Sequence, residues 1–176
     1  MKFLKLLAFF MVGVLSLSCT KTINKNELLV GAVFPLTGPI ATFGIESVNG
    51  IKLALEEINK GKIKDKILNI KFEDNKGEPA ETASAVKKLI AVDKVLVVIG
   101  EVASSNTLAA APVAQSSKIP MLTPASTNEA VTKTGEYISR TCFTDEFQGL
   151  VMAKFAVNNL QKKKAAVIVD MSSDYS

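Results

Sequence analysis

Val95-Leu96-Val97-Val98-Ile99, running into Gly100-Glu101-Val102-Ala103-Ser104-Ser105-Asn106-Thr107, is the stretch that decides the fold. The first five residues are all apolar and four are β-branched. A run without polar alternation belongs to a strand covered on both faces, the setting of a parallel sheet. The small and polar residues that follow lead into an alanine-rich segment, 104–115, with the composition of a helix. A buried strand passing through a short polar loop into a helix is half of a βαβ unit.

The same alternation extends in both directions. Residues 28–34 (LLVGAVF) read as a strand and 35–39 as a turn. Val48, Ile51, Leu55 and Ile58 recur at helical spacing, so the helix covers about 42–60 and stops at Gly61. A second strand is expected at 67–73. Pro79 opens a second helix with Ala83, Val86 and Ile90 on one face. Beyond the central unit come strands at 119–122 and 137–140. Leu150, Ala153, Val157 and Leu160 then mark a fourth helix, and 165–169 a last strand. This order predicts an α/β fold with a doubly wound parallel sheet and right-handed crossovers. In such sheets ligands sit on the loops leaving the C-terminal ends of strands. Those loops are 36–44, 101–106, 123–128 and 170–176.

Composition narrows the function. The 176 residues are 48% hydrophobic and 22% charged, enough for one packed domain and too apolar for disorder. There is no histidine, so a Ser-His or Cys-His pair and an imidazole metal site are unavailable within the chain. No phosphate-binding glycine loop, C-x-x-C or H-E-x-x-H occurs. Catalysis by Ser104 would need lysine or a carboxylate as base. We therefore expect no catalytic residue, no metal, no cofactor and no enzyme. The formal net charge of +4 includes Lys2 and Lys5 of the leader, whereas every acidic residue lies beyond it. The remainder is close to neutral and no nucleic-acid partner is expected.

Residues 1–18 have a positive start and an apolar stretch from Leu6 to Leu17, the length of a signal-peptide core rather than a membrane span. Ser16-Leu17-Ser18-Cys19 resembles a bacterial lipobox with its leucines displaced by one place; an ordinary signal peptide cut nearby is the alternative. On the lipidation reading, 19–27 carry a modified Cys19 and a polar tether. The protein is then held to the membrane in the periplasm or at the cell surface by acyl chains. Cys142 is left without an intrachain partner and is expected as a plain buried thiol.

The loop that holds Ser104, Ser105 and Asn106 opens a helix, whose unpaired N–H groups suit a carboxylate or phosphate. The plainer alternative is that Ser104 caps its own helix, the stronger reading for this loop taken alone. In the loop Thr123-Pro124-Ala125-Ser126-Thr127-Asn128, hydroxyls suit an anion and carbonyls an ammonium; a plain polar turn is the alternative. Two such loops on neighbouring strands could grip both ends of an amino-acid head group. Phe43 either walls a pocket or packs on the core.

Leu29-Val30-Gly31-Ala32-Val33-Phe34-Pro35-Leu36-Thr37-Gly38-Pro39 and Asn49-Gly50-Ile51-Lys52-Leu53-Ala54 resemble the opening of the leucine/isoleucine/valine-binding proteins. These are type I periplasmic solute-binding proteins of ABC transporters. Val98-Ile99-Gly100 before Ala103-Ser104-Ser105, the stretch Pro120 to Thr127, Arg140-Thr141, Asp145, Gln148-Gly149 and Asp170 to Tyr175 follow in family order. The resemblance implies that residues 28–176 are an incomplete first lobe, stopping as the second begins. It implies uptake of branched-chain or related amino acids through an ABC permease. An amide or urea sensor of the same fold, docking to a regulatory partner, is the alternative. It places Ser104 on the ligand carboxylate, Thr127 on the head group and the Ala125 carbonyl on the ammonium. Val102 and Ala103 fall on the pocket wall, Tyr175 at the edge of the second lobe, and Asp145 near the cleft. Phe43 stands where many members have tyrosine. With half a cleft, weak or no amino-acid binding is expected.

Overall fold

The computed structural model describes residues 26–61, 63 and 65–176. The leader and Cys19 lie outside the described residues. Five parallel strands form one sheet: β1 (Glu27–Phe34), β2 (Ile67–Asp74), β3 (Val98–Ile99), β4 (Met121–Thr123) and β5 (Ile138–Arg140), in the order β2-β1-β3-β4-β5. The helices are α1 (Ala41–Gly61), α2 (Pro79–Ala91), α3 (Ser104–Ser116), the single turn α4 (Ala130–Lys133) and α5 (Asp145–Lys154), which runs on into a π-helical turn, Phe155–Asn159.

Alternation along β1 sorts its side chains onto two layers. Val33 joins Val86 and Leu89 of α2, Ala110, Ala111 and Ala114 of α3, and Val98 and Met121 of the neighbouring strands. Ala32 and Phe34 point the other way, against Val48 of α1. The alanine face of α3 lets that helix approach the sheet closely, and all three alanines are fully buried. The sheet is thus covered on both faces, as the doubly wound reading requires.

Three elements differ from expectation. The β3 ladder is only Val98–Ile99, although Leu96 N–H donates to Leu29 and Gly31 N–H to Val97, extending the contact backwards. Residues 165–169 form no strand: Val167 and Ile168 are 82% and 97% exposed, and no ladder partner meets them among the described residues. An apolar run becomes a strand only where another strand supplies its hydrogen bonds. Finally, the apolar positions of the fourth helix, Leu150, Val157 and Leu160, are exposed, so helical spacing there marks a face that nothing described covers.

The strand order reverses at β1 and β3, since the chain moves outward from β1 to β2 and then crosses to the other side. The crevice beyond the C-terminal ends of these strands is where such sheets place ligands.

Candidate functional site

A hollow of about 510 Å³ lies at that crevice, within the range of small-molecule sites. Each of the four loops named from the sequence reaches it. The β1 loop and the start of α1 contribute Ile40, Phe43 and Ser47; the β3 loop contributes Val102, Ala103 and Ser104; the β4 loop contributes Ala125 and Thr127. Ser173 and Tyr175 come from the C-terminal segment, and Phe143 and Gln148 from the stretch after β5. Among the described residues, no charged side chain is on this wall.

The β1 loop is held by Asp74 at the end of β2. Its carboxylate accepts the N–H groups of Leu36 (2.9 Å), Thr37 (3.3 Å) and Lys76 (2.8 Å) and the Thr37 hydroxyl (2.6 Å). Burial pushes this carboxyl up, but those four donors outweigh burial and hold it below the ordinary aspartate value. The next loop turns out of β3 through Gly100, at φ +128°. A Cβ there would sit 2.1 Å from the Val33 carbonyl oxygen, so only glycine fits.

Ser104 is the first residue of α3, not its cap; Ala103 occupies the cap position, with no side-chain capping bond. The Ser104 hydroxyl instead accepts the Asn128 N–H at 3.2 Å, across the crevice. The reading in which Ser104 merely caps its own helix is therefore replaced. With an acceptor lone pair used by Asn128, the hydroxyl proton is free to donate.

The β4 loop is braced from both sides. Arg140 of β5 donates to the carbonyls of Ser126 (2.7 Å), Asn128 (2.9 Å) and Glu129 (3.3 Å) and to the Thr132 hydroxyl (3.0 Å). The Thr127 carbonyl accepts from Asp145 N–H at 3.1 Å. Thr127 is 6% exposed and its Oγ1 has no partner among the described residues. Ala125 is exposed at the loop's tip.

Three named candidates stand off the wall. The Ser126 side chain is buried beneath the loop, donating to the Glu101 carbonyl (2.9 Å) and lying 2.6 Å from the Thr107 hydroxyl. The Ser105 hydroxyl accepts Asp174 N–H at 3.1 Å. Asp145 opens α5 with Oδ1 buried and unpartnered among the described residues. Ser105 still matters indirectly: together with the bond from Asn128 Nδ2 to the Asp174 carbonyl (2.6 Å) it tethers the segment that brings Ser173 and Tyr175 to the hollow. Phe43 lines the hollow and is 66% exposed, so it walls the site rather than filling the core. Cys142 is half-buried rather than buried, with its thiol 3.5 Å from the Ser126 carbonyl.

The sequence reading did not single out Ser47 of α1, nor Phe143 and Gln148; the strand-end rule, applied also to the loop after β5, points to the last two. The sequence reading also missed Glu101, 0% exposed, whose carboxyl is pushed up by burial against the opposing hydrogen bond from Ala103 N–H.

The doubly wound sheet carries a partly aromatic hollow at its switch point, where such sheets place small ligands. Residues 27–176 match the family model described as periplasmic binding protein, and the chain belongs to that family. The Leu/Ile/Val-binding protein homolog 3 of Brucella melitensis is 36% identical over 146 residues, 82% of this chain and 39% of that protein. Among solved structures, the leucine-binding protein LivK of Thermotoga maritima superposes with a TM-score of 0.81 at 42% identity, covering 85% of this chain and 42% of that one. The branched-chain amino acid substrate-binding protein LivJ of Streptococcus pneumoniae, in complex with isoleucine, gives 0.74 at 32% identity, covering 77% and 39%. The fold is thus that of type I periplasmic binding proteins. The chain spans about two fifths of the length of the curated relatives it matches. No helix among the described residues is long and apolar enough to cross a membrane.

Proposed function

We propose that this chain is the first lobe of an extracytoplasmic solute-binding lipoprotein that takes branched-chain or related amino acids for an ABC permease. The observation that carries the reading is that Ser104 and Thr127, from different loops, line one hollow with no charged side chain on its wall among the described residues. A zwitterion is met there by dipoles. The N–H groups at the start of α3 and the Ser104 hydroxyl suit its carboxylate, and the Thr127 hydroxyl and Ala125 carbonyl suit its head group. Ile40, Phe43, Val102 and Phe143 offer an aliphatic side chain apolar surface at about 25 cal/mol per Å² buried. The names of the relatives point to the same ligand class.

Phe43 and Tyr175 are 66% and 55% exposed, so the hollow is open to water. Binding by residues 20–176 is accordingly weak, of millimolar order, about 4 kcal/mol. Titrating leucine into ¹⁵N-labelled protein tests this. Saturable shifts at the Ser104 and Thr127 amides support it, and shifts no larger than those from glutamate contradict it. Acylation of Cys19 supplies the membrane anchor; a Cys19→Ser variant released from the membrane fraction supports that part, and one that stays membrane-bound contradicts it.

A further inference from the structure

Glu101 is sealed beneath the hollow and is not part of its wall. Its Oε2 accepts the N–H of Ala103, the cap residue of α3, at 2.5 Å. Its main-chain carbonyl accepts the hydroxyls of Thr123 (2.6 Å) and Ser126 (2.9 Å), and the Thr107 hydroxyl, 2.6 Å from that of Ser126, completes the cluster. Thr123 in turn accepts the N–H groups of Ser126 (3.0 Å) and Ala125 (3.4 Å). One residue therefore ties the first turn of α3 through its side chain and the β4 loop through its backbone.

A buried carboxyl is a costly way to fill space, and an apolar side chain of similar volume is commonly as stable or more so. Oε1 lacks a partner among the described residues, so this carboxyl is not rewarded by a closed network. We infer that Glu101 is a positioning residue of the site, holding the Ala103–Ser104 peptide so that Ser104 and Thr127 address the same ligand. Its effect on ligand rests on the amino-acid reading above; its hold on Ala103 does not. The polar groups around it are the amides of Asn75 after β2 and Asn106 of α3, with the hydroxyls of Thr107, Thr123 and Ser126. Burial favours the neutral acid, which still offers Ala103 an acceptor.

The test compares the whole chain with Glu101→Gln, which keeps an acceptor, and Glu101→Met, which keeps only the volume. Amide-resolved hydrogen exchange is expected to show Ala103 at least about tenfold less protected in E101M, the scale of one lost hydrogen bond. Val98 and Ile99 should be unchanged, and E101Q should restore the protection. Leucine-induced shifts at Ser104 should then weaken by about tenfold in E101M. Equal Ala103 protection in all three proteins overturns the proposal, as does E101Q failing alongside E101M. Should E101M not fold, the Ala103 amide of the native protein decides: exchange as slow as at Val98 and Ile99 is expected, and exchange at the rate of an unprotected amide overturns the proposal. If leucine moves no amide in the native protein, the ligand reading fails, while the Ala103 comparison still decides the role of Glu101.

Discussion

The Ser104 hydroxyl accepts the Asn128 main-chain N–H at 3.2 Å, joining the first residue of α3 to the loop after β4. Those two segments are 24 residues apart in the chain and leave adjacent strands. The bond orients the serine oxygen, so that its remaining proton can point into the hollow. It also makes the spacing between the two grips a property of the sheet rather than of a flexible loop.

Ser104→Ala removes both the acceptor for Asn128 and the donor for a ligand carboxylate. A hydrogen bond to a charged group contributes about 1.5–3 kcal/mol, so leucine should bind roughly ten- to a hundredfold more weakly. An NMR titration of the variant measures this. Unchanged affinity would remove Ser104 from the site.

Arg140 donates to the carbonyls on either side of Thr127 and to Glu129 and Thr132 beyond. Replacing it by methionine keeps the stem but leaves those acceptors unpaired, a cost of about 2–3 kcal/mol in urea unfolding. Lysine should recover less than half, because a single ammonium cannot span four acceptors fanned around a planar guanidinium. Full recovery by lysine would contradict this account.

Gly100→Ala places a methyl 2.1 Å from the Val33 carbonyl oxygen at a φ of +128°. The β1–β3 contact must open to accept it, and we expect a loss of at least about 2 kcal/mol in unfolding free energy. A loss below about 0.5 kcal/mol would show that the turn does not need glycine.

Asp74 gives a pH dependence of definite sign. Its folded-state carboxyl titrates below the ordinary value, so its contribution is complete above the unfolded value of about 3.9 and is lost as pH falls through the folded one. Asp74→Ala should be less stable than the native protein near neutrality, by about 1 kcal/mol after allowance for solvent screening. The two stabilities should converge as pH falls through the folded value. A gap independent of pH would mean the loop is not held by charge.

The sheet was legible because the apolar run at 95–99 carries the buried Val95 and Val98, although Leu96 is 55% exposed and only Val98–Ile99 enter the ladder, and because Pro79 and Gly61 punctuate the helices where the structure places their ends. The loops were legible because topology, not side-chain identity, puts them at one edge. What stayed hidden depends on distant partners. Nothing local distinguishes Ser126, turned under its loop, from Thr127, one residue on. Glu101 reads as a surface acid until the structure shows it 0% exposed, with its carboxylate on Ala103 N–H and its main-chain carbonyl under Thr123 and Ser126. The apolar run 165–169 shows the converse, since strand composition without a neighbouring strand yields exposed chain.

The most direct measurement is the leucine titration of the ¹⁵N-labelled protein, followed at Ser104, Thr127 and, as a distant control, Leu89 in α2. Concerted, saturable shifts at Ser104 and Thr127 with one dissociation constant, and no shift at Leu89, are expected. Shifts at only one of the two, or with unrelated constants, would contradict a shared grip on a single amino acid.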